Sequence, residues 1–338
     1  MKPIRWGILS TGHIAGIFAR GIRASRRGVL SAVASRSLGK AEKFSRLHKI
    51  PRAHGNYQAL LDDPTVEAVY IATPHPFHAR WAVLAAKAGK HILCEKPMAM
   101  NPGEAVRMVE AARKNRVFLM EAFMYRCHPQ TEKLVELIRG NILGKIRYIR
   151  ASFCFEAPLD LKHRLFNPGL GGGAILDVGC YPVSMARRVA GAALGRPFVQ
   201  PLEVRGSAVR GSKSQVDERA LGVLKFPGGI LAEISCAIRG ERADQALGLE
   251  GEKGILTVPF PWIPRGKGET SHLFFRKWGD KKVLKIQVPY PGNLYALEAD
   301  RVAIAIRGGE RQCPAMPWAD SLGNQETLHA WLKCVGNR

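Results

Sequence analysis

The stretch Gly7-Ile8-Leu9-Ser10-Thr11-Gly12-His13-Ile14-Ala15 stands where a short apolar run, Ile4–Leu9, gives way to a helical pattern over His13–Ser25. Laid on the spacing G-x-G-x-x-G/A, Ser10 takes the first slot, Gly12 the second and Ala15 the third. The second slot is the demanding one. With no side chain there, the backbone can approach a pyrophosphate seated on the N-terminal amides of the following helix. Ser10, Thr11, Gly12, His13 and Ile14 are therefore the candidate phosphate cradle. Ser10 departs from the strict pattern, and a tight turn in any α/β protein would leave a similar trace.

The chain beyond the loop favours the first of these readings. Leu30–Ser35 reads as a strand, Leu38–His48 as a helix, Ala68–Thr73 as a strand, Phe77–Ala88 as a helix and His91–Glu95 as a strand. A helix from Pro102 and a short strand over Val117–Met120 continue the alternation. Short strands spaced by helices predict βαβ units, hence a doubly wound parallel sheet of the Rossmann type with helices on both faces. After Glu121 the rhythm changes. A helix over Gln130–Arg139 leads into the strand-like runs Arg147–Phe155, Leu202–Val209, Ala220–Phe226, Ile230–Ile238, Ala246–Glu250 and Val283–Val288. Helices over Asn293–Ile306 and Ser321–Cys334 close the chain. The fold class expected is α/β: a Rossmann domain over residues 1–121 and an α+β domain with a mostly antiparallel sheet over 122–338. A length of 338 residues is comfortable for two cores.

The second strand ends at Ser35-Arg36-Ser37. That lies about 20 residues beyond the glycine loop, where an Asp or Glu would hold the ribose hydroxyls of NAD. No acid is present. A guanidinium flanked by two hydroxyls suits the 2′-phosphate of NADP, which a carboxylate would repel. Ser35, Arg36 and Ser37 thus make NADP(H) the expected cofactor, with NAD(H) also admissible. A plain surface arginine after a strand is the alternative.

Lys and Arg outnumber Asp and Glu by 51 to 28, a formal charge of +23. Nucleic acid, an anionic membrane and anionic small molecules are the partners such a surplus suggests. The charge is spread, with no basic tail and no Lys/Arg block of five; Arg20, Arg23, Arg26 and Arg27 are the densest group. It reads as a solvated surface, and neither nucleic acid nor a membrane is expected as a partner. Seven cysteines, odd in number and without a C-x-x-C pair, predict reduced thiols and no metal site. Lys2 and Arg5 before an apolar run imitate a signal peptide, but Gly7, Gly12 and His13 interrupt the run. No stretch approaches the ~20 apolar residues of a membrane span, and a cytoplasmic location is expected.

Two further segments carry reactive groups. Glu95-Lys96-Pro97 ends the strand His91–Glu95, and open α/β sheets bind ligands at the C-terminal ends of their strands. Pro97 restricts Lys96 to extended conformations, which aims its ammonium; an ordinary solvated lysine is the alternative. In Gly171-Gly172-Gly173-Ala174-Ile175-Leu176-Asp177-Val178-Gly179-Cys180-Tyr181 a glycine loop enters a helix. Asp177 and Tyr181 are four apart and share a face, with Pro182 expected to distort the helix just after them. Taken alone, a helix-surface pair explains them as well.

The glycine loop, Ala72-Thr73-Pro74-His75-Pro76-Phe77-His78, Glu95-Lys96-Pro97, Glu121-Ala122-Phe123-Met124-Tyr125-Arg126, Gly171–Pro182 and Met316-Pro317-Trp318-Ala319-Asp320-Ser321 occur in this order. Together they resemble the glucose-fructose oxidoreductase / inositol dehydrogenase / MocA family over nearly the whole chain, within it the dihydrodiol dehydrogenase and NADP-dependent aldose dehydrogenase branch. The resemblance implies a Rossmann domain followed by an α/β domain whose large open sheet often serves dimerisation, so a homodimer or homotetramer is expected. It implies NAD(P)-dependent hydride transfer at a carbinol or carbonyl carbon of a sugar or sugar-like cyclic polyol. Lys96 matches the family's E-K-P lysine, Tyr181 the proton-exchanging position, and Asp177 the aspartate that binds or orients substrate. Thr73, Pro74, His78 and Glu95 fall on cofactor-side positions, although His78 also fits a structural helix start. Arg126 and Arg164 lie in segments that resemble substrate- and cofactor-facing ones. Specificity is expected in Phe153–Gly173, Arg239–Gln245 and Pro259–Gly268. Free tyrosine, with a pKa of ~10, is a poor base at neutral pH, so the chemistry calls for a cation near it, either Lys96 or the oxidised nicotinamide. A cofactor-binding sensor of the same fold is the rival reading; the presence of Lys96, Asp177 and Tyr181 speaks for an enzyme.

Overall fold

The computed structural model describes residues 2–264, 270–289 and 292–336, with backbone only at 241–244. In chain order the elements are β1 (Ile4–Leu9), α1 (His13–Ala24), β2 (Gly28–Ala34), α2 (Leu38–His48), β3 (Arg52–His54), α3 (Tyr57–Leu61), β4 (Ala68–Ile71), α4 (His78–Lys87), β5 (His91–Cys94), α5 (Pro102–Lys114) and β6 (Leu119–Glu121). There follow α6 (Pro129–Arg139), β7 (Ile146–Glu156), α7 (Cys180–Ala193), β8 (Glu203–Arg210), β9 (Asp217–Phe226), β10 (Ile230–Ala237), β11 (Arg239–Gly251), β12 (Gly254–Val258), β13 (Ser271–Lys277), β14 (Leu284–Val288), α8 (Leu294–Arg307) and α9 (Trp318–Cys334).

The chain forms two compact units, Met1–His128 with Gly292–Leu322, and Pro129–Pro291 with Gly323–Arg338. The single cut expected between residues 121 and 122 is therefore corrected, because the chain returns to the first unit. There α8 packs on α1, and Asp300 accepts hydrogen bonds from the Ser25 hydroxyl and from the Arg26 and Arg27 amides. Arg307 also pairs with Glu67 at 3.0 Å. Nothing in the local pattern of the first 121 residues announces these long-range contacts.

Among the described residues the first unit carries a six-stranded parallel sheet in the order β3-β2-β1-β4-β5-β6. Its central strands are almost wholly apolar because helices cover both faces; Ile8, Leu9, Val69, Ile71, Ile92 and Leu93 are all fully buried. Sequence order reverses between β1 and β4, and the loops leaving these two strands open the crevice where such sheets bind ligands. β3 and α3 went unread because Arg52-Ala53-His54 has no apolar alternation and α3 is only five residues long.

Among the described residues the second unit is built on an eight-stranded sheet, β14-β13-β12-β11-β7-β10-β9-β8. It is antiparallel except for the β7–β10 pair. Ala246–Glu250 proves to be the inner part of the longer β11, while β12 and β13 were not foreseen. On β9 the buried Ala220, Leu224 and Phe226 alternate with exposed Leu221 and Val223, the period-two signature of a sheet with one covered face. α7 covers the inner face at β7 and β10. Among the described residues no helix is long and apolar enough to cross a membrane.

Candidate functional site

In the first unit the phosphate cradle is built by backbone. Ser10 sits at φ 114°, in the left-handed region that favours glycine, so the serine holds the conformation its slot requires. Its amide bonds Ala34 O at 3.0 Å and its hydroxyl accepts from the Gly12 amide at 3.2 Å. Gly12 has φ −73° and ψ 177°, which any residue can adopt. The fold itself leaves room for a side chain: a Cβ there would meet only Ser10 Oγ among the described residues, at an ordinary contact distance of 3.6 Å. No side chain caps α1 and no acid lies in its first turn. An open glycine over uncapped N-terminal amides suits a pyrophosphate.

Two neighbouring strand ends complete this face. Thr73, just past β4, is 6% exposed, and its Oγ1 has no hydrogen-bond partner among the described residues. A buried hydroxyl left so is costly unless a ligand satisfies it. Arg36 and Ser37 are exposed just past β2, and Ser37 precedes α2 without capping it. The buried Ser35 is tied through its amide to His54 O at 3.1 Å, which makes it part of the frame. The sequence reading missed Tyr57, which lies near Ser10 and Arg36; burial raises its pKa, partly offset by the Arg36 charge and the Ser10 hydroxyl. No local spacing signals it, because Tyr57 reaches the loop only through the fold.

Glu95 and Lys96 follow β5. The Glu95 carboxylate is buried and accepts hydrogen bonds from the Tyr70 hydroxyl and, at 3.2 Å, from the Lys96 amide. The Lys96–Pro97 peptide is cis, a feature the sequence did not announce. Lys96 is half-buried, at the C-terminal edge of the sheet. His78 resolves in favour of its structural alternative. It is fully buried, with Nδ1 at 3.0 Å from Pro97 O and Nε2 at 2.8 Å from Thr73 O. It ties the Thr73-Pro74 and Lys96-Pro97 loops together. Arg126 is likewise corrected from a substrate-facing residue to an internal strut. Its side chain is 1% exposed, paired with Asp320, and donates through Nε to Ala315 O at 3.0 Å.

In the second unit a π-helical turn over Ile175–Gly179 leads directly into α7. The distortion expected just after Tyr181 thus lies before it, at Ile175–Gly179, where a proline without an N–H can follow a wide turn. Asp177 and Tyr181 are both buried here. Arg164, expected on the cofactor side, places Nη1 at 2.9 Å from Asp177 Oδ1. The Tyr181 ring meets Phe153 edge-on, with centroids 5.1 Å apart, and Trp262 at 5.8 Å. Trp262 is fixed by its indole N–H donating to Ser152 O at 2.8 Å. Phe153 and Trp262 fall in segments expected to govern specificity; the side chains at 241–244 and the part of Pro259–Gly268 beyond residue 264 lie outside the described residues.

Comparisons with known proteins agree with this frame. Residues 4–123 match the model of an oxidoreductase family with an NAD-binding Rossmann fold, and residues 131–257 match the GFO/IDH/MocA C-terminal domain. The trans-1,2-dihydrobenzene-1,2-diol dehydrogenase of Mus musculus is 35% identical over 98% of this chain and 97% of its own length. That of Danio rerio is 37% identical over 77% of this chain and 76% of its own. A 3-ketoreductase from Actinomadura kijaniata, solved with NADP and TDP-benzene, is 25% identical with a TM-score of 0.87, covering 99% of this chain and 98% of its own. The chain therefore belongs to the Gfo/Idh/MocA oxidoreductase family and is an NAD(P)-dependent dehydrogenase.

Proposed function

We propose that the protein is an NADP(H)-dependent oxidoreductase that transfers a hydride to or from a carbinol or carbonyl carbon of a sugar or sugar-like cyclic polyol. The observation that carries the cofactor choice is the open cradle over Gly12, with Arg36 and Ser37 exposed at the neighbouring strand end and no acid between them. When bound, the nicotinamide supplies or accepts the hydride. Ser10–Ile14 and Thr73 hold the diphosphate side, and Arg36 with Ser37 reads the 2′-phosphate. In oxidation Tyr181 accepts the hydroxyl proton as the C–H bond breaks; in reduction it returns that proton to the oxygen. Lys96 polarises the reacting oxygen and favours the phenolate. Asp177, oriented by Arg164, binds a neighbouring hydroxyl.

The relatives support a cyclic carbinol or ketone, since they are named for a cyclic dihydrodiol and for a 3-keto substrate. The outer face of the second sheet exposes Val209, Leu221, Val223 and Leu231, a surface suited to pairing with a second copy as a homodimer or homotetramer. An absorbance screen with NADP⁺ and NADPH across aldoses, keto-sugars and cyclic dihydrodiols tests the reading. Turnover on one of these classes is expected. Tight NADPH binding with no turnover on any would replace it with a cofactor sensor of the same fold.

A further inference from the structure

The turn that carries Asp177 and leads into Tyr181 on α7 receives no cap from its own sequence: Ala174, which precedes it, makes no side-chain cap bond. The cap comes from Asp217, the first residue of β9 and 42 positions away. Asp217 is 3% exposed, and its Oδ2 accepts the Ile175 amide at 2.7 Å. A carboxylate buried this deeply must be offset by hydrogen bonds, and the start of a helical turn is where its charge is favoured. The glycine loop is shaped around it. Gly173 has φ 114°, and a Cβ there would fall inside the Asp217 carboxylate. A Cβ on Gly172 would press on the carbonyl oxygens of Leu165, Arg164 and Asn167 at 2.6, 2.8 and 2.9 Å. The same loop backbone thus lies against the segment that delivers Arg164 to Asp177.

We infer that Asp217 is a positioning residue for the reaction. Phe153 and Trp262 confine the Tyr181 ring sideways. What remains is sliding or rotation of the turn along its axis, and the Asp217–Ile175 bond stops that motion. Asp217 therefore sets how far the Tyr181 hydroxyl reaches. The inference rests on the proposed role of Tyr181 and is tested so that the two can fail separately.

Asp217→Asn keeps an oxygen able to accept the Ile175 amide, whereas Asp217→Ala removes it. In Asp217→Ala, kcat should fall by about 10- to 100-fold, the scale of an ångström-sized misplacement, with NADPH affinity unchanged; Asp217→Asn should restore most of the loss. Amide hydrogen exchange over residues 175–181, which needs no substrate, should quicken in Asp217→Ala and stay slow in Asp217→Asn. If Asp217→Ala does not fold, Asp217→Ser, whose hydroxyl is too short to reach, replaces it. Unchanged exchange in Asp217→Ala, or exchange as fast in Asp217→Asn, overturns the anchor. Quickened exchange with kcat intact overturns the positioning role if Tyr181→Phe is inactive. If Tyr181→Phe is active too, the Tyr181 assignment is what fails.

Discussion

Replacing Gly12 by Ala separates a phosphate cradle from a mere turn. At φ −73° and ψ 177° alanine is unstrained, and its Cβ would meet only Ser10 Oγ at 3.6 Å. Two opposing terms act on stability: a stiffer unfolded chain gains about 0.4–1 kcal/mol, while alanine is somewhat poorer than glycine at a helix N-cap. The net change should stay within about 0.5 kcal/mol. Binding should respond differently, because the methyl would stand at the N-cap, beside the α1 amides. Loss of one charge-assisted hydrogen bond, about 1.5–3 kcal/mol, weakens NADPH by roughly 10- to 150-fold. Thermal melting of the free protein and fluorescence titration with NADPH read the two quantities. A melting temperature that falls in step with affinity, or an affinity that does not change, refutes the cradle. Gly173→Ala is the control of opposite kind. Its φ of 114° and the Asp217 carboxylate in its path predict a destabilised protein.

Arg36→Ala should weaken NADPH by about tenfold or more and leave NADH unchanged, as expected for a lost charge-assisted contact to the 2′-phosphate; equal loss for both cofactors would remove that assignment. Asp320→Ala leaves the Arg126 charge buried and should cost about 3–5 kcal/mol in denaturant unfolding, and Arg126→Met in the same chain should recover part of it. Burial lowers the His128 imidazole to about 4. The folded state then keeps the ring neutral where the unfolded chain, near 6.5, takes up a proton. Stability should fall as pH drops from about 6.5 to about 4, by up to roughly 3 kcal/mol from this group. His128→Asn should flatten that part of the pH–stability curve.

The parts of this protein legible from sequence are those whose signal is local. β1, α2 and the glycine loop follow from apolar period and spacing within a few residues, and Arg36 from its distance beyond the loop. The loop's one irregularity, Ser10, was visible, but not that the serine would adopt the backbone of the glycine it replaces. What stayed hidden depends on partners far along the chain. Arg126 could not be told from a ligand-facing arginine until Asp320, 194 residues later, came to it. His78 spans two carbonyls delivered by different strands. Tyr57 and Asp217 act through contacts no spacing encodes, and the return of α8 to the first unit places a C-terminal segment on the N-terminal fold. β12 and β13 lie where glycine, charge and proline break the alternation on either side.

The central claim is that Tyr181 exchanges the proton that accompanies hydride transfer at a cofactor held elsewhere. Tyr181→Phe tests it most directly, because the ring stays among Phe153 and Trp262 and only the hydroxyl is lost. On the substrate found by the screen, single-turnover rates should fall by about 10²- to 10⁴-fold, the usual worth of a positioned acid–base group, while NADPH affinity stays at the wild-type value. Turnover within a few-fold of wild type, or parallel loss of turnover and NADPH binding, would contradict the account.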